Sequence, residues 1–466
     1  METPRIPGLS DAEQEDFAAN LAQLRSKRPR NLLRAGLYDG RHAIRQIGTI
    51  IPPTYYQTAV VLGWPAKAVD LLAQRTNVDK VAWVDGDLDA LGAATLLRET
   101  NFMAQLNQGF RSSLLHSCAF ITTTRGTGAG DSPVMIHIRD ALSATGMWSF
   151  RWQRLTSAMT VNEWRDDDTV TPDAFTLYRD GVTITATRSG SRWALDRSTH
   201  GFGVPVEPLV YKPRLGRPFG SSRISRPVIS AYSQAVRTAI RMEGNADVYS
   251  FPQMVLLGAS EDVFKNRDGS LKPAWQVALG RIFALEDDED LSNPRATVQR
   301  FEAASPEPHL KMFRQQAEFF AGESSIHPSY LGMSSDGNPT SAEALLIQDM
   351  PLIAEAEGAA DDWSPAISRT LARALAMRNG ERSVPESFWS IGPKWRSSRY
   401  TSKAAAADAG AKQIASVPWL AETEVGLELL GLDSDQIERA LSERRRVQGM
   451  GRVADILSRS RGDLTG

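Results

Sequence analysis

Ile326-His327-Pro328-Ser329-Tyr330-Leu331-Gly332 is followed by the loop Met333-Ser334-Ser335-Asp336-Gly337 and then by Asn338-Pro339-Thr340-Ser341-Ala342-Glu343. Thr340 or Ser341 offers a hydroxyl to the first free amides of a helix, and helical periodicity then runs from Ala342 to Met377, about 50 Å at 1.5 Å per residue. Pro351 and Pro365 should kink that helix, because each removes a backbone donor and crowds the preceding turn. Upstream, Leu310, Phe313, Ala317 and Phe320 mark one face of a helix that stops near Gly322. Further back, Ser225 followed by Pro227 reads as a cap, and Val228, Ile229, Tyr232, Val236 and Ile240 form one stripe up to Gly244, about 27 Å long. The chain from Phe251 to Pro308 is of another kind, with β-like Met254 to Leu257, a turn at Asp268-Gly269, Trp275, and the acidic run Glu286 to Asp290. Two helices therefore bracket an inserted module.

Outside this central block, Ser10 and Glu13 form a capping-box pattern ahead of Phe17, Leu21 and Leu24, which predicts an N-terminal helix. It runs into the basic segment Arg25, Lys27, Arg28, Arg30 and Arg34, interrupted by Pro29 and read as a solvated turn. Trp64-Pro65 opens a second helix lasting until Asn77, residues 88–116 read helical, and Cys118 to Thr124 is β-rich. From Val134 to Tyr211 alternation dominates, with hairpin turns at Asp180-Gly181 and Ser189-Gly190, so one antiparallel β unit is expected. Three short helices, Ala404 to Ile414, Trp419 to Leu430 and Ser434 to Val447, follow at the C-terminal end.

A chain of 466 residues is too long for one ordinary core, so several structural units are expected. With 42% hydrophobic and 23% charged residues it belongs to the globular range. Its 53 Lys and Arg against 55 Asp and Glu leave a formal charge of −2, so no global basic field would draw it onto nucleic acid. The single cysteine, Cys118, forbids an intrachain disulfide and fits a reducing compartment. No apolar run approaches a membrane span, and the expectation is a soluble, unexported protein without a membrane partner.

Catalytic constellations are missing from the sequence. It contains no GxxxxGK[ST], HExxH or GxSxG; Gly126, Gly128 and Gly130 read as a hairpin tip; and the six histidines have no metal-ligand spacing. The best enzymatic case is a metal-dependent nuclease using Asp166, Asp167 and Asp168 with the run Glu286 to Asp290, although adjacent carboxylates point apart in a strand and repel in a loop. No cofactor is expected. Arg237 with Arg241, and Lys311 with Arg314, share helix faces and serve either ion pairing or weak phosphate contact along a channel.

The order of these segments resembles the portal proteins of tailed bacteriophages, in the siphophage portal family of head-tail connectors. The most specific likeness is Ile326 to Gly332 followed by Asn338-Pro339-Thr340-Ser341-Ala342-Glu343-Ala344-Leu345. Tyr38-Asp39-Gly40, the Trp64-Pro65 helix with Asp70 and Arg75, Gly220 to Pro227, and Phe251-Pro252-Gln253 support it in the family's order. The resemblance implies an α+β portal fold: a wing over 1–222, stem helices over 223–249 and 309–325, a small α/β clip over 250–308, a tunnel-loop region over 326–340, a kinked wing helix and return over 341–400, and a helical crown over 401–466.

It also implies a homo-oligomeric ring, usually of twelve copies, at one vertex of the capsid. Double-stranded DNA would enter through the ring, driven by the terminase large subunit, and leave through it into the tail. Major capsid and scaffolding proteins and a head-tail adaptor would be further partners, with the protein assembled in the host cytoplasm and resident in the virion. On this likeness Met333, Ser334, Ser335, Asp336, Gly337 and Asn338 face DNA, Arg237, Arg241, Lys311 and Arg314 are stem-channel candidates, and Lys265, Arg267 and Lys272 are clip-contact candidates. A conduit should not grip what it conducts, because each neutralised phosphate adds salt-dependent affinity, and both the net charge and the small polar loop suit that requirement. The alternatives are a ring-forming head-tail adaptor with no packaging role, or the nuclease above.

Overall fold

The computed structural model describes residues 4–41, 60–126, 128, 130–165, 168–249, 254–257, 265–266, 268–271, 297–300, 305–333, 342–399 and 403–462. The chain is α+β. The first helix, α1 (Asp11–Tyr38), starts at the expected capping box: the Glu13 amide donates to Ser10 Oγ at 3.3 Å and the Ser10 amide to Glu13 Oε2 at 2.7 Å. Pro29 does not break it. An interior proline costs a helix about 3 kcal/mol, and bonds on both sides of Pro29 hold the axis in place: Arg28 donates to the Leu142 carbonyl and lies over the Trp164 ring, Asn31 to the Ala141 carbonyl and Arg34 to the His116 carbonyl. The basic segment is thus helix and not a turn: Arg28 and Arg34 pack α1 onto its neighbours, while Lys27 and Arg30 stay exposed.

Helix α2 (Trp64–Arg75) has its proline in the first turn as expected. The predicted helical stretch 88–116 divides into α3 (Ala93–Glu99) and α4 (Phe102–His116), because Asn101 adopts φ +50° between them. Strand β1 (Val78–Trp83) pairs antiparallel with β12 (Ile391–Trp395). The expected single β unit is two sheets. Strands β2 (Cys118–Arg125), β3 (Val134–Asp140) and β9 (Val206–Val210) form one three-stranded sheet in the order β3-β2-β9. Strands β4 (Ala144–Ser149), β5 (Arg154–Arg165), β6 (Asp168–Arg179), β7 (Val182–Ser189) and β8 (Arg192–Thr199) form a five-stranded meander with one turn at the predicted Asp180-Gly181 and the other at Gly190-Ser191, one residue past the predicted Ser189-Gly190. Burial separates the sheets: β9 is buried at every position, as a strand covered on both faces must be, whereas β7 and β8 keep one polar face.

The two predicted helices bracketing the insert are α5 (Arg226–Tyr249) and α6 (Glu307–Glu323). The first is longer than its apolar stripe suggested. They pack antiparallel: Arg223 at the start of α5 reaches the Ser324 carbonyl just past α6, and farther along Gln316 Nε2 donates to Thr238 Oγ1 at 3.0 Å inside the contact. Of the insert, β10 (Met254–Leu257) pairs with β11 (Thr297–Arg300), and Lys265 bridges to Leu271 around the Asp268-Gly269 turn. Trp275 and Glu286 to Asp290 lie outside the described residues.

Helix α7 (Ala342–Arg378) continues through Pro351 and Pro365 and forms the centre of the molecule. Its last turns are buried almost all round by Leu371, Ala372, Ala374, Leu375 and Ala376, so they show no amphipathic pattern. Trp363 is fully buried, stacks on Phe110 at 4.5 Å and donates to Ser113 Oγ at 3.1 Å; Ser113 in turn donates to the Leu209 carbonyl, tying α7, α4 and β9 together. The C-terminal part comprises α8 (Lys403–Ser416), α9 (Glu424–Leu429) and α10 (Ser434–Gly462), the last running past its predicted end at Val447. Truncating Trp363 to Ala should destabilise the chain by about 3–5 kcal/mol, read as a lower denaturant midpoint in urea unfolding followed by circular dichroism.

Candidate functional site

The stretch 326–343 connects α6 to α7, and the structure anchors its first part, up to Met333. After α6 the Ile326 amide returns to the Ala321 carbonyl at 3.0 Å, closing the helix. His327 caps the 3₁₀ turn Pro328–Leu331 by accepting from the Ser329 amide at 3.3 Å. Gly332 follows at φ +83°, a left-handed conformation that side chains with a Cβ rarely adopt. Ile326 and Leu331 are buried, and Met333, half-buried, packs on the main core.

Asp349, in the early part of α7, ties that part to the helix. Tyr330 donates its hydroxyl to Asp349 at 3.0 Å, Arg75 of α2 pairs with the same carboxylate at 2.6 Å, and Lys67 donates to the Tyr330 carbonyl. Burial, and then the bond to Asp349, raise the Tyr330 pKa. A neighbouring clasp joins α1 to α2, where Tyr38 donates to Asp70 at 2.8 Å; burial and that bond push the phenol up to about 12. The motif pieces Tyr38, Asp70, Arg75 and Ile326 to Gly332, far apart in sequence, thus converge on one side of α7.

Behind them lies a buried charge that sequence reasoning did not single out. The Arg223 side chain is 2% exposed; its Nη1 pairs with Glu355 of α7 at 2.6 Å and also donates to the Tyr211 hydroxyl, while Nε and Nη2 donate to the Ala68 and Ser324 carbonyls. Tyr211 and Lys212 also donate to Glu355. Burial alone would raise the Glu355 carboxyl, but the Arg223 guanidinium and these donors reverse that and hold it at about 2. Gly220 makes the approach possible: at φ +65° it turns the chain into α5, and a Cβ there would sit 2.1 Å from the Tyr211 carbonyl oxygen. The available signal was Glu355 itself, a carboxylate among Leu352, Ile353, Ala356 and Ala359 on an otherwise apolar stripe.

Of the stem-channel candidates, Arg237 is half-buried and Arg241, Lys311 and Arg314 are exposed. Arg237, Arg241 and Arg314 lie within a turn of the Thr238–Gln316 contact, while Lys311 pairs with Glu307 at 2.9 Å along its own helix. Lys265 sits in the bridge to Leu271; Ser334, Ser335, Asp336, Gly337, Asn338, Arg267 and Lys272 lie outside the described residues, as do Asp166 and Asp167. Among the described residues no group of three or more His, Cys, Asp or Glu side chains could hold a metal, and no helix is long and apolar enough to cross a membrane.

The described residues thus hold an antiparallel helix pair on either side of an insert and a long helix tied to the end of that pair through Tyr330 and Asp349. The family model described as "Phage portal protein, SPP1 Gp6-like" matches residues 21–450, and the chain belongs to that family. It is 25% identical over 382 residues to the portal protein of Mycobacterium phage L5, covering 80% of this chain and 76% of that protein. The portal protein of Mycobacterium phage D29 is also 25% identical over 382 residues, with 80% and 77% covered. Among solved structures, a chain from the neck of a native gene transfer agent particle overlaps 86% of this chain and 98% of its own length at 14% identity and a TM-score of 0.43. One from the neck of an empty particle overlaps 79% and 90% at 14% identity and a TM-score of 0.45.

The sign of the Glu355 linkage gives a test. A carboxyl held at about 2 in the folded chain against an ordinary 4.5 contributes stability above pH 4.5, and that contribution is lost as pH falls from there through about 2. Its full size is about 3 kcal/mol. Glu355→Gln should therefore be less stable than the parent at pH 7, with the difference shrinking between pH 4.5 and 2, as followed by urea midpoints across that range.

Proposed function

We propose that this chain forms a dodecameric ring at one vertex of a phage capsid, as the channel for DNA packaging and exit and the platform for joining head to tail. The observation that carries the reading is the antiparallel pair α5 and α6 around the insert, leading directly into a loop whose first part is fixed on α7. In this assignment residues 1–222 are the wing, 223–249 and 309–325 the stem, 250–308 the clip, 326–340 the tunnel-loop region, 341–400 the kinked wing helix and return, and 401–466 the crown. Long helical faces suit the heterologous contacts that close a ring around a rotation axis.

The partners follow from the same assignment. Terminase and afterwards an adaptor would meet the clip through Lys265, Arg267 and Lys272, capsid and scaffolding proteins would meet the outer wing, and DNA would pass Met333 to Asn338 and the stem cations. The chain would reside in the virion after assembly in the host cytoplasm, and would act by shape, without catalysis.

Negative-stain images of the purified chain should contain closed rings when viewed end-on. A chain that stays monomeric at micromolar concentration and cuts DNA with Mg²⁺ overturns the proposal. Deleting residues 334–338 should leave rings intact but stop capsids from filling with DNA; normal filling would remove the tunnel-loop assignment.

A further inference from the structure

The basic segment of α1 borders a cavity for which the ring assignment has no use. Gln23 Nε2 donates to Thr145 Oγ1 at 3.0 Å and to the Gly146 carbonyl at 2.8 Å, strapping the helix to β4. About two turns further on, Asn31 Nδ2 donates to the Ala141 carbonyl at 3.1 Å and forms a second strap. A cavity of about 210 Å³ lies between helix and strand at this place. Leu24, Phe120, Ala141, Ala144 and Phe219 give it an apolar wall. Two of these are alanines, and protein interiors otherwise pack without voids of this size, so the space persists because small side chains stand where larger ones would close it.

The charge around the cavity is of one sign. Lys27 and Arg30 lie on its wall, both exposed, and neither side chain makes a hydrogen bond or ion pair among the described residues. Three positions apart on α1, they share a face. No Asp or Glu side chain is among the described residues that line the space. Asp140, the carboxylate that acts on His116 from nearby, is taken up by the Ser143 hydroxyl at 2.6 Å and the Ser143 amide at 3.0 Å. Burial lowers the His116 imidazole to about 4 and pushes the Cys118 thiol up to about 12, so both wall groups are neutral near pH 7. Arg34, one turn from Arg30, is lowered to about 10 by burial and then by its like-charged neighbour.

Two unpaired cations at the mouth of an uncharged, apolar space complement an anion carried on an apolar body. A nucleic-acid phosphate would use the cations and leave the space behind them empty. Size narrows the body: an apolar cavity of about 150 Å³ takes up one benzene, so about 210 Å³ has room for one ring and a carboxylate. The Phe120 and Phe219 rings, with centroids 6.0 Å apart and planes inclined at 51°, offer that ring the tilted contacts aromatic groups prefer.

We infer that this cavity is a binding site for a small aromatic monocarboxylate, with its ring among Phe120, Phe219 and the two alanines and its carboxylate between Lys27 and Arg30. The site does not depend on the portal reading.

The probe is phenylacetate, titrated into the full chain in a calorimeter, with phenylacetamide as the ring without charge and acetate as the charge without ring. Phenylacetate should bind saturably at one site per chain, and each control at least about tenfold more weakly, the scale of one hydrogen bond to a charged group. Lys27→Met and Arg30→Met, at exposed positions that leave both straps in place, should each lower affinity for phenylacetate by a similar factor. Ala144→Leu should abolish binding by filling the space; because overpacking can unfold a core, it is read only on protein that keeps a cooperative urea transition, and the two methionine variants decide the matter otherwise. Absence of saturable phenylacetate binding at millimolar concentration, equal binding of phenylacetamide, or unchanged affinity in both methionine variants overturns the site. Normal binding by folded Ala144→Leu overturns the placement of the ring.

Discussion

Arg223 is the point at which four parts of the chain are tied together. Its guanidinium binds the α2 carbonyl of Ala68, the Ser324 carbonyl just past α6, the Tyr211 hydroxyl and the α7 carboxylate of Glu355, while its own backbone leads into α5. Burying such a charge is expensive, and an apolar replacement of similar shape is often no less stable, so the pair is poor evidence for stability gained. What an apolar cluster lacks is direction. The planar fork fixes the line on which each partner must lie, and so sets the start of α5, the end of α6 and the Glu355 turn of α7 relative to one another.

The anchored loop depends on that placement. Tyr330 can reach Asp349 only if the end of α6 and the start of α7 are already side by side, and Arg75 then pairs with the same carboxylate from α2. Ser324 belongs to both arrangements, since it offers its carbonyl to Arg223 and its hydroxyl to the Phe320 carbonyl at the end of α6. The position of the chain as far as Met333 is therefore set by charge pairing behind it.

The helices α5 and α6 were legible because each buries one face: Val228, Tyr232, Ala235 and Val236 on one, Ala317, Phe320 and Ala321 on the other. The Asp180-Gly181 hairpin was legible because its turn chemistry is local. The β1–β12 pair was not, since Val78 to Trp83 and Ile391 to Trp395 are short and meet only after the whole intervening chain has folded. Pro29 misled because a local penalty was outweighed by bonds to residues more than a hundred positions away. In the site, the motif located the loop, but Arg223 sits in a stretch of Gly, Ser and Arg that reads as solvent-facing, and nothing local indicates that it is buried.

The cations also follow a pattern that net charge conceals. A formal −2 arises from 53 positive and 55 negative residues, so the chain is not short of positive charge. Some of those charges are instead neutralised within the chain: Arg75 by Asp349, Lys311 by Glu307. The last pair has side chains 74% and 66% exposed, and such a pair on a helix contributes only about 0.3–0.5 kcal/mol, so stability is a weak reason for it. Its larger effect is on the field outside the helix, where a carboxylate one turn from an ammonium turns a point charge into a dipole that fades within a Debye length of about 8 Å. On the proposed assignment, duplex passing Lys311 would therefore meet little net attraction at any one phosphate.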